Sequence, residues 1–534
     1  MQNEKTNRIK EHILFCLILT ISALPTILNA SCNSEAFFLN IFCSLSVTLL
    51  LTGFVMLLPY RWLRWGVFTI LFVVSLFELA HELVYHGDLA SAGYIRSLFM
   101  TTPYEAEGAV GRVIMQHLTF IVILAIAYLC ATALFFLTKP KIRKQILVLL
   151  CDTIMLTIVT LSLLLGYGFE TTSKAVLHHP PLNIYTQFAE AYRQIKEREN
   201  GIAKPIDDYS IMQRSSEQEQ ELYLLVIDES LSYERLSINK QYQRPTTPRI
   251  ENNERVVSFS NYYATGVFTM YAVPMLITPT TATDFENNYS APTIQEVYNQ
   301  SGFKTYWITN EAQIVNDGVS GYIVKGAEQI NVHCDIDMPG VVDSICSLHD
   351  KVFAVLHLWG SHQFYLNTMQ TTSRYFPDVT TSKKVCGADI YNNSYDNTIL
   401  YTDSLLAALI EVTERHKVLS TILFTSDHGE GPITDTGGAH GYTLPHKSEY
   451  HVPLIVWYSD EYKTAYPEKV ANMIKHKDAP VSADNVFWSV LNMADIRIDS
   501  TLQQDGMSVF SDTLLPHRRT LLLPNGRQIM QLDE

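Results

Sequence analysis

Residues 421–430 read TILFTSDHGE, a run of strand-forming residues followed at once by the polar sequence Ser426-Asp427-His428. Four further apolar runs have the length of a strand and lie at 222–227, 304–308, 352–358 and 453–457. Short β-rich runs that alternate with helix-compatible segments predict a mainly parallel sheet with helices on both faces. The second half of the chain is therefore expected to be an α/β domain.

Polar side chains follow three of these runs at the point where each run ends. Asp228 and Glu229 follow the first run, and the segment from His357 to His362 closes the third. Because ligands bind at the carboxyl ends of parallel strands, these groups are expected to meet Asp427-His428 at one edge of the sheet. Carboxylates and imidazoles brought together there are costly to bury unless a cation neutralises them. A set without thiolates suits Zn²⁺ or Mn²⁺.

The first half of the chain is dominated by long apolar runs. Five of them are long enough to cross about 30 Å of hydrocarbon. They lie at 11–31, 36–59, 66–86, 117–138 and 145–167. The first is interpreted as a retained span and not as a signal peptide, because no small-residue cleavage site follows it.

Three basic clusters set the orientation of these spans. They consist of Lys5, Arg8 and Lys10, of Arg61 and Arg64, and of Lys139, Lys141, Arg143 and Lys144. All three fall on the same side of the membrane, which the positive-inside rule assigns to the cytoplasm. With five spans, everything after about residue 168 is then expected in the periplasm, and the loop 87–116 lies on the same outer face.

The third span carries three ionisable residues on one helical face near its outer end. Glu78, His81 and Glu82 recur at i, i+3 and i+4. Ionisable groups at this depth tend to mark a site. Two interpretations stay open, a metal site and a hydrogen-bonded cluster at the membrane interface, and the second is favoured.

Charge and cysteine usage narrow the class of partner and the compartment. The formal net charge is −15, and the first 170 residues hold 11 Lys and Arg against 10 Asp and Glu, so the acidic excess belongs to the remainder. Nucleic acid is excluded as a partner, since it needs a basic face. Five of the eight cysteines lie in or beside apolar segments. Cys334 and Cys346 could close a short loop in an oxidising compartment, a question left open, and Cys386 stays single.

Together these features resemble the bacterial inner-membrane phosphoethanolamine transferases, including those that modify lipid A. The resemblance is architectural along the whole chain, and the segment 268–274, FTMYAVP, is one of its motifs. It implies an alkaline phosphatase or sulfatase-like fold for the α/β domain. It also implies a zinc site, with one tightly bound ion and a second ion or Mn²⁺ left open. The implied ligands are Glu229, Thr269, Asp427 and His428, with Thr269 as the nucleophile.

The resemblance extends to residues around this metal site. His362 and His440 match residues that hold the substrate or a second zinc, and Thr101 and Glu105 match an outer-loop pair implicated in phosphoethanolamine binding. Softer matches lie at 246–248 and 396–398. Supporting roles are assigned to Asp228, as a carboxylate that orients a ligand, and to His446 and His451, as surface or neighbouring residues.

The chain also departs from the family pattern. Thr265 and Met275 stand where lipid A-type members have a disulfide around the nucleophile, and Ser97 replaces a family Asn in the outer loop. The expected substrate-binding Lys is missing after residues 310–311. These departures leave the metal chemistry intact and bear on the identity of the acceptor.

The chemistry of the nucleophile agrees with a metal site. A threonine hydroxyl is a poor nucleophile at neutral pH, and a divalent cation lowers its pKa enough to supply an alkoxide. His362 and His440 would then donate hydrogen bonds to the phosphate or protonate a leaving oxygen.

The sequence thus predicts three parts: a five-helix membrane domain over 1–167, a bridging segment over 168–218 with an amphipathic helix at 186–198, and a periplasmic catalytic domain over 219–534. The expected function is transfer of phosphoethanolamine from phosphatidylethanolamine to lipid A or a lipopolysaccharide core sugar by a monomer in the inner membrane. The alternatives are a phosphoglycerol transferase or sulfatase-like hydrolase of the same fold, and a catalytically silent binding or sensor domain. A threonine nucleophile disfavours the sulfatase, whose nucleophile is a modified Cys or Ser.

Overall fold

The structure is a computed structural model that divides into two compact units, Met1–Arg193 and Gln194–Glu534. It describes residues 2–28, 37–85, 88–100, 103–138, 165, 173, 176–202, 211–214, 219–287, 290–310, 322–362, 365, 376, 388–434, 438–498 and 505–533. Each unit is described by itself below.

The described part of the membrane unit is helical. Its helices are α1 (Gln2–Leu28), α2 (Phe37–Leu57), α3 (Arg61–Val84), α4 (Ala92–Met100) and α5 (Pro103–Leu137). A further helix, α6 (Asn183–Ile202), contains the boundary between the units and covers the predicted amphipathic segment. Within α5 the backbone of His117 departs from helical geometry, and the apolar segment of this helix begins at the same residue.

Four segments of these helices are long and apolar enough to cross a membrane. They are Thr6–Leu28, Asn40–Leu57, Arg61–Val84 and His117–Leu137. These segments confirm four of the predicted spans within the described residues, and the fifth, at 145–167, lies outside them. Aromatic rings join two of the helices, because Phe72 of α3 stacks on Tyr128 of α5 with centroids 4.8 Å apart.

The second unit is built on a mixed sheet that contains seven strands within the described residues, in the order β3-β9-β8-β2-β7-β5-β6. Their bounds are β2 (Glu221–Asp228), β3 (Val256–Ser258), β5 (Lys304–Thr309), β6 (Glu328–Asn331), β7 (Lys351–His357), β8 (Leu419–Ser426) and β9 (Leu454–Tyr458). Strands β8, β2, β7, β5 and β6 are parallel neighbours, and β9 runs antiparallel to both β8 and β3. The mainly parallel sheet predicted from the sequence is confirmed.

Short strands lie outside this sheet. They are β1 (Ile211–Arg214), β4 (Tyr262–Tyr263), β10 (Val481–Ser482), β11 (Ile496–Ile498), β12 (Thr520–Leu522) and β13 (Ile529–Gln531). The helices of this unit are α7 (Thr269–Ile277), α8 (Ile294–Gln300), α9 (Met338–Leu348), α10 (Ala388–His416), α11 (Lys447–Tyr450), α12 (Asp460–Ala465), α13 (Pro467–His476) and α14 (Asp484–Met493).

The central strand β2 is buried on both faces, which explains its uninterrupted apolar sequence. Tyr223 and Leu225 pack into one hydrophobic core, and the alternate residues Leu222 and Leu224 pack into a second. A strand flanked by two cores has no solvent-facing side on which polar residues are tolerated. Asp228, the last residue of β2, therefore marks the place where the core ends and the site begins.

Cys334 and Cys346 are free thiols in the structure. The Cys334 thiol donates to Asp337 Oδ2 at 3.1 Å. The short loop that these two cysteines were considered to close is therefore held without a disulfide here.

Candidate functional site

Three adjacent strands deliver the polar side chains of the site. Strand β2 pairs with β7 on one side and β8 on the other, so that Ile227 lies beside His357 and Asp228 beside Ser426. Residues that follow β2 and β8 thus leave the sheet at the same level. This register places Glu229 next to the Asp427-His428 pair, as the sequence analysis expected.

Glu229, Asp427 and His428 form a compact, fully buried group whose ligand atoms lie within 4.8 Å of one another. His428 Nε2 lies 3.2 Å from Glu229 Oε1 and 3.4 Å from Asp427 Oδ2. Thr269, the first residue of α7, donates its hydroxyl to Glu229 Oε2 at 3.0 Å, and its Oγ1 lies 3.4 Å from His428 Nε2. The structure brings all four predicted metal ligands together.

The electrostatics of this group indicate a deficit of positive charge. Burial, followed by repulsion from Glu229, raises the pKa of Asp427. Burial would lower the pKa of His428, but the carboxylates of Asp427 and Glu229 outweigh it and raise that pKa. Within the described residues no Lys or Arg pairs with either carboxylate, and Asp427 Oδ2 has no hydrogen-bond partner. Three oxygens and one imidazole, one of them an orphaned buried carboxylate oxygen, fit a divalent cation.

Ser230 orients both carboxylates from a strained backbone. Its φ of 59° lies in the left-handed region that non-glycine residues seldom adopt. In this conformation its N–H donates to Asp427 Oδ1 at 3.2 Å and its hydroxyl donates to Glu229 Oε1 at 2.8 Å. Strain at a site that fixes two ligands is typical of functional loops.

Asp228 stabilises the same turn through hydrogen bonds to both of its carboxylate oxygens. Its Oδ1 accepts the N–H of Glu229 at 3.0 Å, and its Oδ2 accepts the Thr402 hydroxyl at 3.3 Å. Gly360, with φ at 52°, passes so close that a Cβ there would lie 1.8 Å from Asp228 Oδ1. Asp228 therefore holds the strand end in place, which agrees with the orienting role expected for it.

His440 lies beside the ligand group. Its ring centroid is 4.1 Å from that of His428, and its Nδ1 lies 3.4 Å from Glu430 Oε1. Burial and the neighbouring His428 lower the pKa of His440, which favours a neutral imidazole. Tyr365 donates to Glu430 Oε2 at 3.0 Å and so fixes the carboxylate that faces His440. The sequence analysis did not assign a role to Glu430, although it follows the Asp-His-Gly motif directly.

His362 lies at the end of a loop that a buried carboxylate holds. Asp335 Oδ1 and Oδ2 accept the N–H groups of Trp359 and Gly360 at 3.1 and 3.2 Å. The His362 ring lies 4.6 Å from the Trp359 ring, and it is close enough to stabilise the Glu229 carboxylate. Asp335 was not found from the sequence, because a carboxylate that binds backbone N–H groups leaves no motif.

The remaining predicted residues fall elsewhere. Glu105 lies in the first turn of α5, and Thr101 lies outside the described residues. His446 caps α11, and the His451 ring stacks on Tyr233 with centroids 4.2 Å apart. The non-ligand role expected for both histidines stays a prediction.

We expect Asp335→Asn to slow turnover about tenfold and to lower the free energy of unfolding by about 1–3 kcal/mol, since one buried N–H loses its acceptor. Bound metal should stay at the wild-type level, because Asp335 contacts none of the four ligands. Steady-state kinetics, thermal unfolding and metal analysis measure these quantities. Asp337→Asn is the matched control, since Asp337 lies on the same turn, is exposed and accepts hydrogen bonds from the Cys334 N–H and thiol. Unchanged turnover in Asp335→Asn would show that the loop needs no such support.

The sulfatase family profile matches residues 221–496, and the chain belongs to the sulfatase family. Curated relatives from several bacteria are named phosphoethanolamine transferase EptA. That of Helicobacter pylori is 28% identical over 274 residues, 47% of this chain and 49% of the relative, and that of Escherichia coli O157:H7 is 24% identical over 302 residues, 53% and 54%. The aligned part thus spans about half the length of these relatives.

Solved structures show the same architecture. The integral membrane protein lipooligosaccharide phosphoethanolamine transferase A of Neisseria meningitidis superposes with a TM-score of 0.74 at 19% identity, over 92% of this chain and 98% of that one. The periplasmic domain of EptC from Escherichia coli, in complex with Zn, gives a TM-score of 0.51 at 18% identity, over 61% and 96%. The fold is therefore that of membrane helices followed by an alkaline phosphatase or sulfatase-like domain.

Proposed function

We propose that this protein takes phosphoethanolamine from phosphatidylethanolamine, holds it on Thr269, and passes it to lipid A or a lipopolysaccharide core sugar. The observation that carries the proposal is the position of the Thr269 hydroxyl, 3.0 Å from Glu229 and 3.4 Å from His428. A threonine placed inside a ligand group of this kind suits a nucleophile better than a plain loop residue. The relatives named phosphoethanolamine transferase support the chemical class.

The donor set fits a zinc ion held by Glu229, Thr269, Asp427 and His428. The orphaned Asp427 Oδ2 and the absence of thiolates among these ligands support this identity, as does the EptC domain solved in complex with Zn. When bound, the ion lowers the pKa of the coordinated hydroxyl and offsets charge on the phosphoryl group.

In the first half-reaction the Thr269 oxygen attacks the phosphorus of the donor, and the bond from phosphorus to the diacylglycerol oxygen breaks. Glu229 Oε2 already accepts a hydrogen bond from the Thr269 hydroxyl and is placed to take its proton. The leaving oxygen requires a proton, and His440 and His362, which both act electrostatically on Glu229, are the candidates to donate it. Glu430 faces His440 and stabilises its protonated form.

In the second half-reaction an acceptor hydroxyl or phosphate oxygen attacks the same phosphorus, and the bond to Thr269 breaks. The departing Thr269 oxygen takes back the proton that Glu229 received. Neutral His440 is suited to accept a proton from the acceptor. Both the phospholipid donor and a lipid-linked acceptor lie in the membrane plane, so anchoring by the apolar helices raises their effective concentration. We place the protein in the inner membrane as a monomer, with the α/β domain in the periplasm.

The test is mass spectrometry of envelope lipids from cells with and without the protein. We expect lipid A or a core sugar to carry one additional phosphoethanolamine only when the protein is present, with diacylglycerol as the second product. An empty-vector strain is the control. Unmodified envelope lipids in cells that express the protein would contradict the proposed acceptor. An added phosphoglycerol would show that the donor is a different phospholipid from the one proposed.

A further inference from the structure

A cluster of buried ionisable residues in the membrane unit has no part in the transfer chemistry described above. Glu78, His81 and Glu82 of α3 are only 2%, 1% and 2% exposed. Buried carboxylates near the end of a membrane helix are expensive and are retained when they bind something. Their individual contacts show which of the three is already satisfied.

Glu78 and His81 are held by neighbours. The Asn183 side-chain amide donates to both Glu78 oxygens at 3.1 and 3.0 Å, and the Ala90 N–H donates to Oε1 at 3.2 Å. His81 Nδ1 donates to the Asp88 carbonyl at 3.0 Å, which leaves the lone pair on Nε2. Tyr85 stacks on the His81 ring, with centroids 4.2 Å apart.

Glu82 is different, because among the residues that the structure describes neither of its carboxylate oxygens has a hydrogen-bond partner. Within the described part of the chain no Lys or Arg pairs with it either. It lies one helical turn beyond Glu78 on the same face, close enough for the two carboxylates to repel each other. Among the described residues, the cluster is thus a group of acceptors without a positively charged donor.

The spacing of the cluster favours an ammonium group over a metal ion. Among the described residues, three ligand atoms come within 4.8 Å of one another only at Glu229, Asp427 and His428, so Glu78, His81 and Glu82 are spread more widely. Zinc holds its ligands at about 2.0–2.2 Å. An ammonium nitrogen holds its acceptors at about 2.7–2.9 Å and offers three N–H donors, so it spans a wider set.

The position of the cluster favours a lipid amine over a soluble one. The apolar span ends at Val84, and Glu82 lies two residues before this end. At about 1.5 Å per residue, Glu82 lies within a few Å of the end of the span, the depth of lipid headgroups. Free ethanolamine offers the same ammonium without acyl chains to hold it at that depth.

We propose that Glu78, His81 and Glu82 form a binding site for the primary ammonium of an aminophospholipid headgroup, with Glu82 as its principal acceptor. The choice of phosphatidylethanolamine as this lipid rests on the proposed function. The site belongs to the membrane unit alone and serves to enrich the protein in its donor lipid.

The test counts lipids bound to the full-length protein by native mass spectrometry, after reconstitution with phosphatidylethanolamine, its mono- and dimethylated forms, or phosphatidylcholine. Occupancy should fall stepwise as methyl groups replace N–H donors, by about tenfold across the series, the value of one charge-assisted hydrogen bond. This comparison uses the wild-type protein, so it does not depend on any variant folding. A flat series would overturn the proposal.

Glu82→Gln should reduce the preference for phosphatidylethanolamine over phosphatidylcholine to within about twofold, since the amide keeps the shape and removes the charge. Glu11→Gln is the matched control, because Glu11 is a carboxylate of α1 that accepts from Asn7 and lies outside the cluster. A preference that persists in Glu82→Gln would mean that Glu82 merely carries a proton, and would overturn the proposal. If free ethanolamine displaces the bound lipid at the same concentration as phosphatidylethanolamine does, the ligand of the site is a soluble amine and not a lipid.

Thr269→Ala separates this inference from the proposed function. That variant should keep the lipid preference while losing transfer. If the wild-type protein transfers phosphoethanolamine but shows no preference for phosphatidylethanolamine in binding, only the ammonium site is overturned. If it shows that preference but transfers nothing, only the proposed function is overturned.

Discussion

Thr269→Ala is expected to abolish the phosphoethanolamine adduct and to reduce transfer at least about 10³-fold, because it removes the hydroxyl that we propose as the nucleophile. Wild-type protein incubated with phosphatidylethanolamine and no acceptor should carry one phosphoethanolamine per chain, since the intermediate then has no partner. Intact-mass measurement and peptide mapping locate the adduct.

The bound metal separates a chemical effect from a collapsed site. Thr269→Ala should retain most of its zinc, because Glu229, Asp427 and His428 still supply three protein ligands. Thr269→Ser is the conservative control and should form the adduct again, since it restores a hydroxyl at the same place. An adduct mapped to another residue, or undiminished transfer by Thr269→Ala, would refute the mechanism.

Asp427→Asn is expected to lower zinc affinity by more than about 100-fold, because a direct ligand matters at least as much as the groups around it. It removes the negative charge of a carboxylate whose Oδ2 accepts no hydrogen bond within the described residues. Zinc per chain after gel filtration against a mild chelator, measured by elemental analysis, should fall close to zero, and adduct formation should fall with it.

Asp403→Asn is the matched control for this substitution. Asp403 is equally buried, but it accepts the N–H groups of Arg249 and Ile250 away from the ligand group. It should lose stability and keep its zinc. Zinc retained in full by Asp427→Asn would remove Asp427 from the ligand set.

The strands and their ends could be predicted from the sequence, because a strand that is buried on both faces has an almost uninterrupted apolar sequence. The runs at 222–227 and 421–425 consist of apolar and β-branched residues, and β2 and β8 extend them by only one or two residues at each end. The polar residues that follow each run then had one sheet edge on which to meet. This register brought Glu229 to Asp427 and His428, as predicted.

Other features left no such signature. The run 453–457 has the same composition whichever way the strand points, and its antiparallel pairing with β8 depends on the connection between them. Glu430 and Asp335 act through contacts with residues distant in the sequence, so their roles follow only from the folded arrangement.

The left-handed backbone of Ser230 has a consequence for engineering. Glycine would relieve a conformational cost of about 1 kcal/mol there, so a screen for heat resistance alone should enrich Ser230→Gly. The hydroxyl that aims Glu229 would be lost with the side chain. Variants selected only for survival at high temperature would thus lose the side chain that orients Glu229. A directed-evolution library of this protein should therefore keep residue 230 fixed.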